Sequence, residues 1–148
     1  MNISPMRRSR FEHTHCVAAS DLNGYGIMHG GRLLTIADET AFISSRLHAG
    51  GICLTRAVHQ AVFHGPAREG DQLRLTSVVA LVGHSSLWIP VEIRSYDQPD
   101  KLIMDAVFVF AALDEAGQPR QIEPVTAESE EERVLQNRIK KLRSIILP

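Results

Sequence analysis

Asp38 stands seven residues beyond Gly31, at the far end of the run Asn23-Gly24-Tyr25-Gly26-Ile27-Met28-His29-Gly30-Gly31 and the largely apolar helix-forming stretch that follows. A helix N-terminus presents amide N–H groups without intrahelical partners and a partial positive charge, which favours anions and developing oxyanions. Glycine at that point lets a ligand come close to the backbone. Seven residues at about 100° each make two turns, so Asp38 returns to nearly the azimuth of Gly31. A carboxylate so placed can act as a general base on water or as a nucleophile, and the residues alone leave both roles open. The Gly31 amide, with that of Gly30, can hold a carbonyl oxygen as it gains charge, an effect of about 3 kcal/mol for one such donor. Asn23 carries a donor and an acceptor in one group and could orient water or bind that carbonyl. His29 could position the reacting group or simply cap the helix.

The helical wheel divides the stretch that carries Asp38. Leu33, Ile36, Ala37, Thr40, Ile43, Ser44 and Leu47 form a band suited to packing on a sheet, while Gly31, Thr35, Asp38, Phe42 and Ser45 lie roughly opposite, flanked by Leu34 and Ala41. The second face is too apolar for plain solvent surface, which predicts an interface helix. Glu39 projects about 100° from Asp38 and is expected to pair with Arg32 on the surface.

A chain of 148 residues with 44% hydrophobic content fits one domain that needs neither metal nor disulfide support. A formal charge of -1 offers no electrostatic case for nucleic acid, and the basic clusters at Arg7-Arg8-Ser9-Arg10 and Lys140-Lys141 read as solvated termini. Cys16 and Cys53 have no metal-ligand or CxxC spacing, and the seven histidines form no HExxH pattern, so no metal is expected. Without a signal-peptide run or a membrane-length apolar stretch, the default location is cytoplasmic. Ser85 and Ser86 lie in no GxSxG elbow, which argues against a serine hydrolase.

Turn signals and periodicity predict a strand over 11–19, a polar loop over 20–28, a helix from about 30 to 48 ended by Gly50-Gly51, and strands over 52–64, 72–83, 86–96 and 101–113. Pro90 lacks an N–H for a ladder and predicts a bulge or an outward-facing position. Ser129-Glu130-Glu131-Glu132 has capping-box spacing and opens a second helix, expected to be a surface or oligomer helix. The order β, α, four β and a terminal α predicts an α+β domain whose antiparallel sheet wraps the central helix, over 1–124, with a C-terminal helical extension over 125–148.

In order and spacing, Asn23, Gly26, His29, Gly30, Gly31 and Asp38 resemble the motif of hot-dog-fold acyl-coenzyme A thioesterases of the acyl-CoA hydrolase branch. There an Asn, a Gly and a His- or Phe-Gly-Gly precede an acid seven residues past the last glycine. The resemblance extends over about 11–119 and includes Thr55, Val58, Phe63, Gly70-Asp71 and the Val82-Gly83-His84-Ser85-Ser86 turn, with Gly24-Tyr25, Pro90 and His84 as departures. It implies the hot-dog fold and hydrolysis of an acyl-CoA thioester to free acid and coenzyme A at sites between two subunits. It further implies a homodimer at minimum, as a trimer of dimers, and no cofactor beyond the substrate's own coenzyme A. On this reading Asp38, Asn23 and Gly31 carry catalysis, and His29, Gly30, Ser85 and Ser86 contact substrate. Arg56, Arg68, Arg94 and Lys101 are unranked candidates for its phosphates. The alternatives are a non-catalytic acyl-CoA sensor and, more distantly, a dehydratase or hydratase, whose expected His with a Pro-Gly helix start is missing.

Overall fold

The computed structural model describes residues 2–147. A short strand β1 (Ser4–Pro5) and a 3-10 turn lead into β2 (Phe11–Cys16), the polar loop, and helix α1 (Gly30–Ala49). Strands β3 (Ile52–Phe63), β4 (Gln72–Ser77), β5 (Leu81–Val82), β6 (Ser86–Ser95) and β7 (Leu102–Leu113) follow. A last strand β8 (Val125–Thr126) and helix α2 (Glu130–Ile146) end the chain. The main sheet runs β2-β4-β6-β7-β3, with β5 on β6, and every pair in it is antiparallel. This is the expected α+β arrangement, a long helix against an antiparallel sheet with a further helix at the C-terminus. Among the described residues no helix is long and apolar enough to cross a membrane.

α1 begins where His29 caps it and ends where Gly50 takes φ 63°, a left-handed conformation that costs glycine little. Leu33, Ile36, Ala37, Thr40, Ala41 and Ser44 are buried against the sheet core of Leu73, Leu75, Leu87, Ile89, Phe108 and Phe110. The buried band is rotated from the wheel reading. Ile43 and Leu47 are exposed, whereas Ser45 and His48 are buried, so the helix leans toward β3 and Asp38 sits at the margin of the buried face instead of opposite it. β3 is an edge strand, and Leu54, Val58, Val62 and Phe63 on it remain exposed, as does Phe42 of the helix.

The strand expected over 72–83 is broken. Ser9 Oγ accepts the Val79 N–H at 2.8 Å, which draws the chain out of the ladder between β4 and β5. Pro90 explains why the sheet tolerates this. Pro90 has the same parity on β6 as Trp88, whose carbonyl accepts from Ala80 N, so its missing N–H faces the gap while its other side stays paired with β7.

The basic N-terminus is not merely solvated. β1 pairs in parallel with β8, Arg7 meets Glu128 at 2.9 Å, and Met6 is fully buried with Trp88, Val107, Ile139 and Leu142, which docks α2 on the sheet face away from α1.

Candidate active site

Thr55 Oγ1 donates to Asp38 Oδ1 at 2.6 Å, which ties the acid on α1 to the edge strand β3. The Thr55 side chain comes to this point because α1 and β3 run antiparallel side by side, joined only by Gly50-Gly51. One carboxylate oxygen is thereby fixed and the other has no partner among the described residues, with Asp38 half-buried on the seam between the helix and the open sheet edge.

At the helix start the amides are unequal. Gly31 N–H donates to His29 Nδ1 at 3.0 Å, and the Arg32 and Leu33 amides donate to His29 O. The Gly31 amide, expected as the carbonyl donor, is thus already spent on its own cap. A side chain on Gly31 would press on that ring, since an added Cβ lies 3.1 Å from His29 Nδ1. The Gly30 amide has no acceptor among the described residues. It borders a cleft of about 450 Å³ lined also by Asn23, Met28, Leu33, Phe63 and Arg68.

Asn23 closes a local turn. Its Oδ1 accepts from the Tyr25 amide at 2.9 Å and the Ile27 amide at 3.3 Å, which leaves the side-chain NH₂ without a partner among the described residues. Only the donor half of Asn23 can therefore serve a ligand. Asp21 holds this loop in place. Its buried carboxylate accepts from Ala18 N, His15 Nε2 and Arg32 Nε at 2.8–2.9 Å, and its carbonyl accepts from His29 N. Burial pushes the Asp21 pKa up, but the Ala18 amide, His15 and Arg32 outweigh it and hold the group at about 2. Arg32 is consequently bound to Asp21 and not to Glu39, because a buried carboxylate ringed by donors outcompetes an exposed one.

Ser85 and Ser86 are not brought to this cleft. They sit in the hairpin between β5 and β6, where Ser85 O accepts from Ala112 N and Arg143 of α2 packs against Gly83. Among the described residues no cluster of three or more His, Cys, Asp or Glu is placed to hold a metal ion. The pairing roles of Thr55 and Asp21 escaped the sequence reading. Asp21 had a signal in standing two residues before Asn23, whereas the Thr55 contact depends on the register of a strand against a helix.

The thioesterase superfamily model matches residues 25–101. An uncharacterised acyl-CoA thioester hydrolase of Zymomonas mobilis is 33% identical over 110 residues, covering 72% of this chain and 73% of that protein. Among solved structures, an apo-hexameric acyl-CoA thioesterase superposes with a TM-score of 0.89 at 28% identity, covering 97% of this chain and 96% of the other. An acyl-CoA hydrolase from Staphylococcus aureus in complex with butyryl coenzyme A, coenzyme A and coenzyme A disulfide gives 0.84 at 29% identity, covering 98% and 92%. That hydrolase has also been solved with alanine replacing an asparagine, an aspartate fifteen positions later and a threonine seventeen positions beyond that. Asn23, Asp38 and Thr55 are spaced identically.

Proposed function

The chain belongs to the thioesterase superfamily, and from that premise we propose that it hydrolyses an acyl-coenzyme A thioester to the carboxylic acid and free coenzyme A. The carrying observation is an anchored carboxylate, Asp38 on Thr55, on the same open seam as an unpartnered amide, Gly30. The free Asp38 oxygen activates water or attacks the carbonyl carbon, and both routes need it aimed at that carbon. The Gly30 N–H and the Asn23 NH₂ donate to the thioester oxygen as it becomes negative. Substrate that displaces His29 gains the Gly31 N–H as well.

One copy does not complete this arrangement. Gly30 and Asp38 are eight residues apart on one helix, a rise of about 12 Å, whereas a general base works within hydrogen-bond reach of the water it activates. A second copy placed against the open β3 edge by a two-fold axis perpendicular to that strand runs its α1 in the opposite direction. The helix start of one copy then faces the Asp38 of the other. The exposed Phe42, Leu54, Val58, Val62 and Phe63 supply the apolar contact for that pairing. The hexameric assembly of the similar thioesterase supports further association of such dimers.

The test is thiol release across a panel of acyl-CoA chain lengths with the parent protein and Asp38→Asn. Turnover of at least one thioester, with a loss of about 10²-fold or more in the variant, is expected for a removed base. Tight binding of an acyl-CoA without hydrolysis would instead establish a sensor.

A further inference from the structure

Arg56, Arg68, Arg94 and Lys101 are the candidates for the coenzyme A phosphates, and their surroundings separate them. Arg94 is committed to Glu92 and to the Pro99 carbonyl. Lys101 shares a depression with the carboxylates Asp71 and Asp97, although its Cε comes close to Gly65 at the rim of the Gly30 cleft. Arg56 stands at a bulge of β3 outside the cleft that holds Gly30. Arg68 lines that cleft, and its guanidinium has no acceptor among the described residues.

Its backbone is held on both sides. Arg68 pairs with Ile27 in an antiparallel bridge, the neighbouring Ala67 carbonyl accepts from Met28 N at 2.7 Å, and the Arg68 amide donates to Asp71 Oδ2 at 2.8 Å. The loop that carries Asn23 and the segment that carries Arg68 therefore form one unit. Of the two carboxylates that follow it in sequence, Glu69 and Asp71, neither pairs with the guanidinium, and Asp71 instead accepts from the backbone amide. His64, the other basic group on the cleft, is paired with Asp105 at 2.7 Å.

Besides the free donors of Gly30 and Asn23 and this cation, the cleft is walled by Ile27, Met28, Leu33 and Phe63. A ligand matching it offers an acceptor to the free donors, an arm of low polarity to the apolar wall, and an anion to Arg68. Building on the thioesterase reading, we infer that the pantetheine arm of coenzyme A occupies this cleft and that Arg68 binds a phosphate of the same molecule. Arg68 is then the residue that distinguishes a coenzyme A thioester from the same acyl group on a shorter, uncharged thiol.

The experiment compares the parent, Arg68→Gln and Arg68→Lys on the best acyl-CoA and on the N-acetylcysteamine thioester of the same acyl group, which has no phosphate. Arg68→Gln is expected to lower kcat/KM for the coenzyme A thioester by about 10-fold or more through KM, as for a lost charge-assisted contact, and to leave the N-acetylcysteamine thioester unchanged. Arg68→Lys should recover part of the loss. Equal losses on both substrates would show that Arg68 supports the fold or meets a charge on the acyl chain, and no loss on either would remove it from the site; each overturns the inference. If the parent hydrolyses nothing, calorimetry with coenzyme A and with pantetheine separates the questions. Weaker coenzyme A binding by Arg68→Gln with unchanged pantetheine binding upholds the subsite although the hydrolase reading has failed, and unchanged coenzyme A binding overturns the subsite too.

Discussion

Two inactive variants should repair one another if the site is divided between copies. Asn23→Asp keeps the oxygen that accepts from the Tyr25 and Ile27 amides, so the loop closes as before, but it removes the NH₂ and puts a negative charge where the oxyanion develops. Asp38→Asn keeps an oxygen for Thr55 while removing the base. Each homodimer should retain about 1% or less of the parent rate, the loss expected when a base or an oxyanion donor is taken away. Mixed in equal amounts and allowed to exchange, half of the dimers contain one chain of each kind. In such a dimer one site takes Asn23 from the Asp38→Asn chain and Asp38 from the Asn23→Asp chain, and is intact; the other carries both defects. Thiol release should therefore rise to roughly a quarter of the parent rate per chain, the fraction of sites restored by symmetry alone in a two-fold interface. If both groups acted within one chain, no mixture could assemble an intact site. A mixture that exchanges subunits, verified by mass spectrometry of differently tagged chains, yet stays at the level of its components would refute the two-copy arrangement.

Thr55→Val removes the donor to Asp38 without altering size, and should lower kcat by about 10-fold or more, the worth of a hydrogen bond to a charged group, with KM changed far less; a proportional rise in KM would show that Thr55 binds substrate instead. His29→Ala takes the cap from the Gly31 amide and should cost about 1 kcal/mol of stability in denaturant unfolding; unchanged stability would mean that water replaces the ring at no cost. Burial holds the His48 and His13 pKa values below the ordinary 6.5, so the folded chain binds fewer protons than the unfolded one. Stability from these groups is complete above pH 6.5 and falls as the pH drops through their lowered folded-state values. Denaturant midpoints measured from pH 7.5 to 5 should show this decline, and His48→Gln should flatten it; an equal slope in that variant would assign the effect elsewhere.

The helix that carries Asp38 was legible because its glycine start, its apolar band and its Gly50 stop are local, and each obeys the 3.6-residue period. What periodicity cannot supply is the outcome of competition between partners for one group. Arg32 has Glu39 two turns along its own helix and Asp21 across the loop, and the choice follows from burial, which only the fold creates. The Gly31 amide is the donor that the glycine-built helix start offers to a carbonyl oxygen, yet His29, two residues back, claims it first. The pairing of β1 with β8 joins segments at the two ends of the chain, and Thr55 reaches Asp38 across seventeen residues only because the chain turns back at Gly50-Gly51 and lays β3 beside α1. The same reasoning limits what one chain can explain. A carboxylate on a margin and an amide at a helix start share an azimuth but not a height, so the wheel that brought them together on paper leaves them two turns apart in space. In the proposed dimer an antiparallel neighbour closes that distance, and the apolar residues exposed along β3 supply its contact.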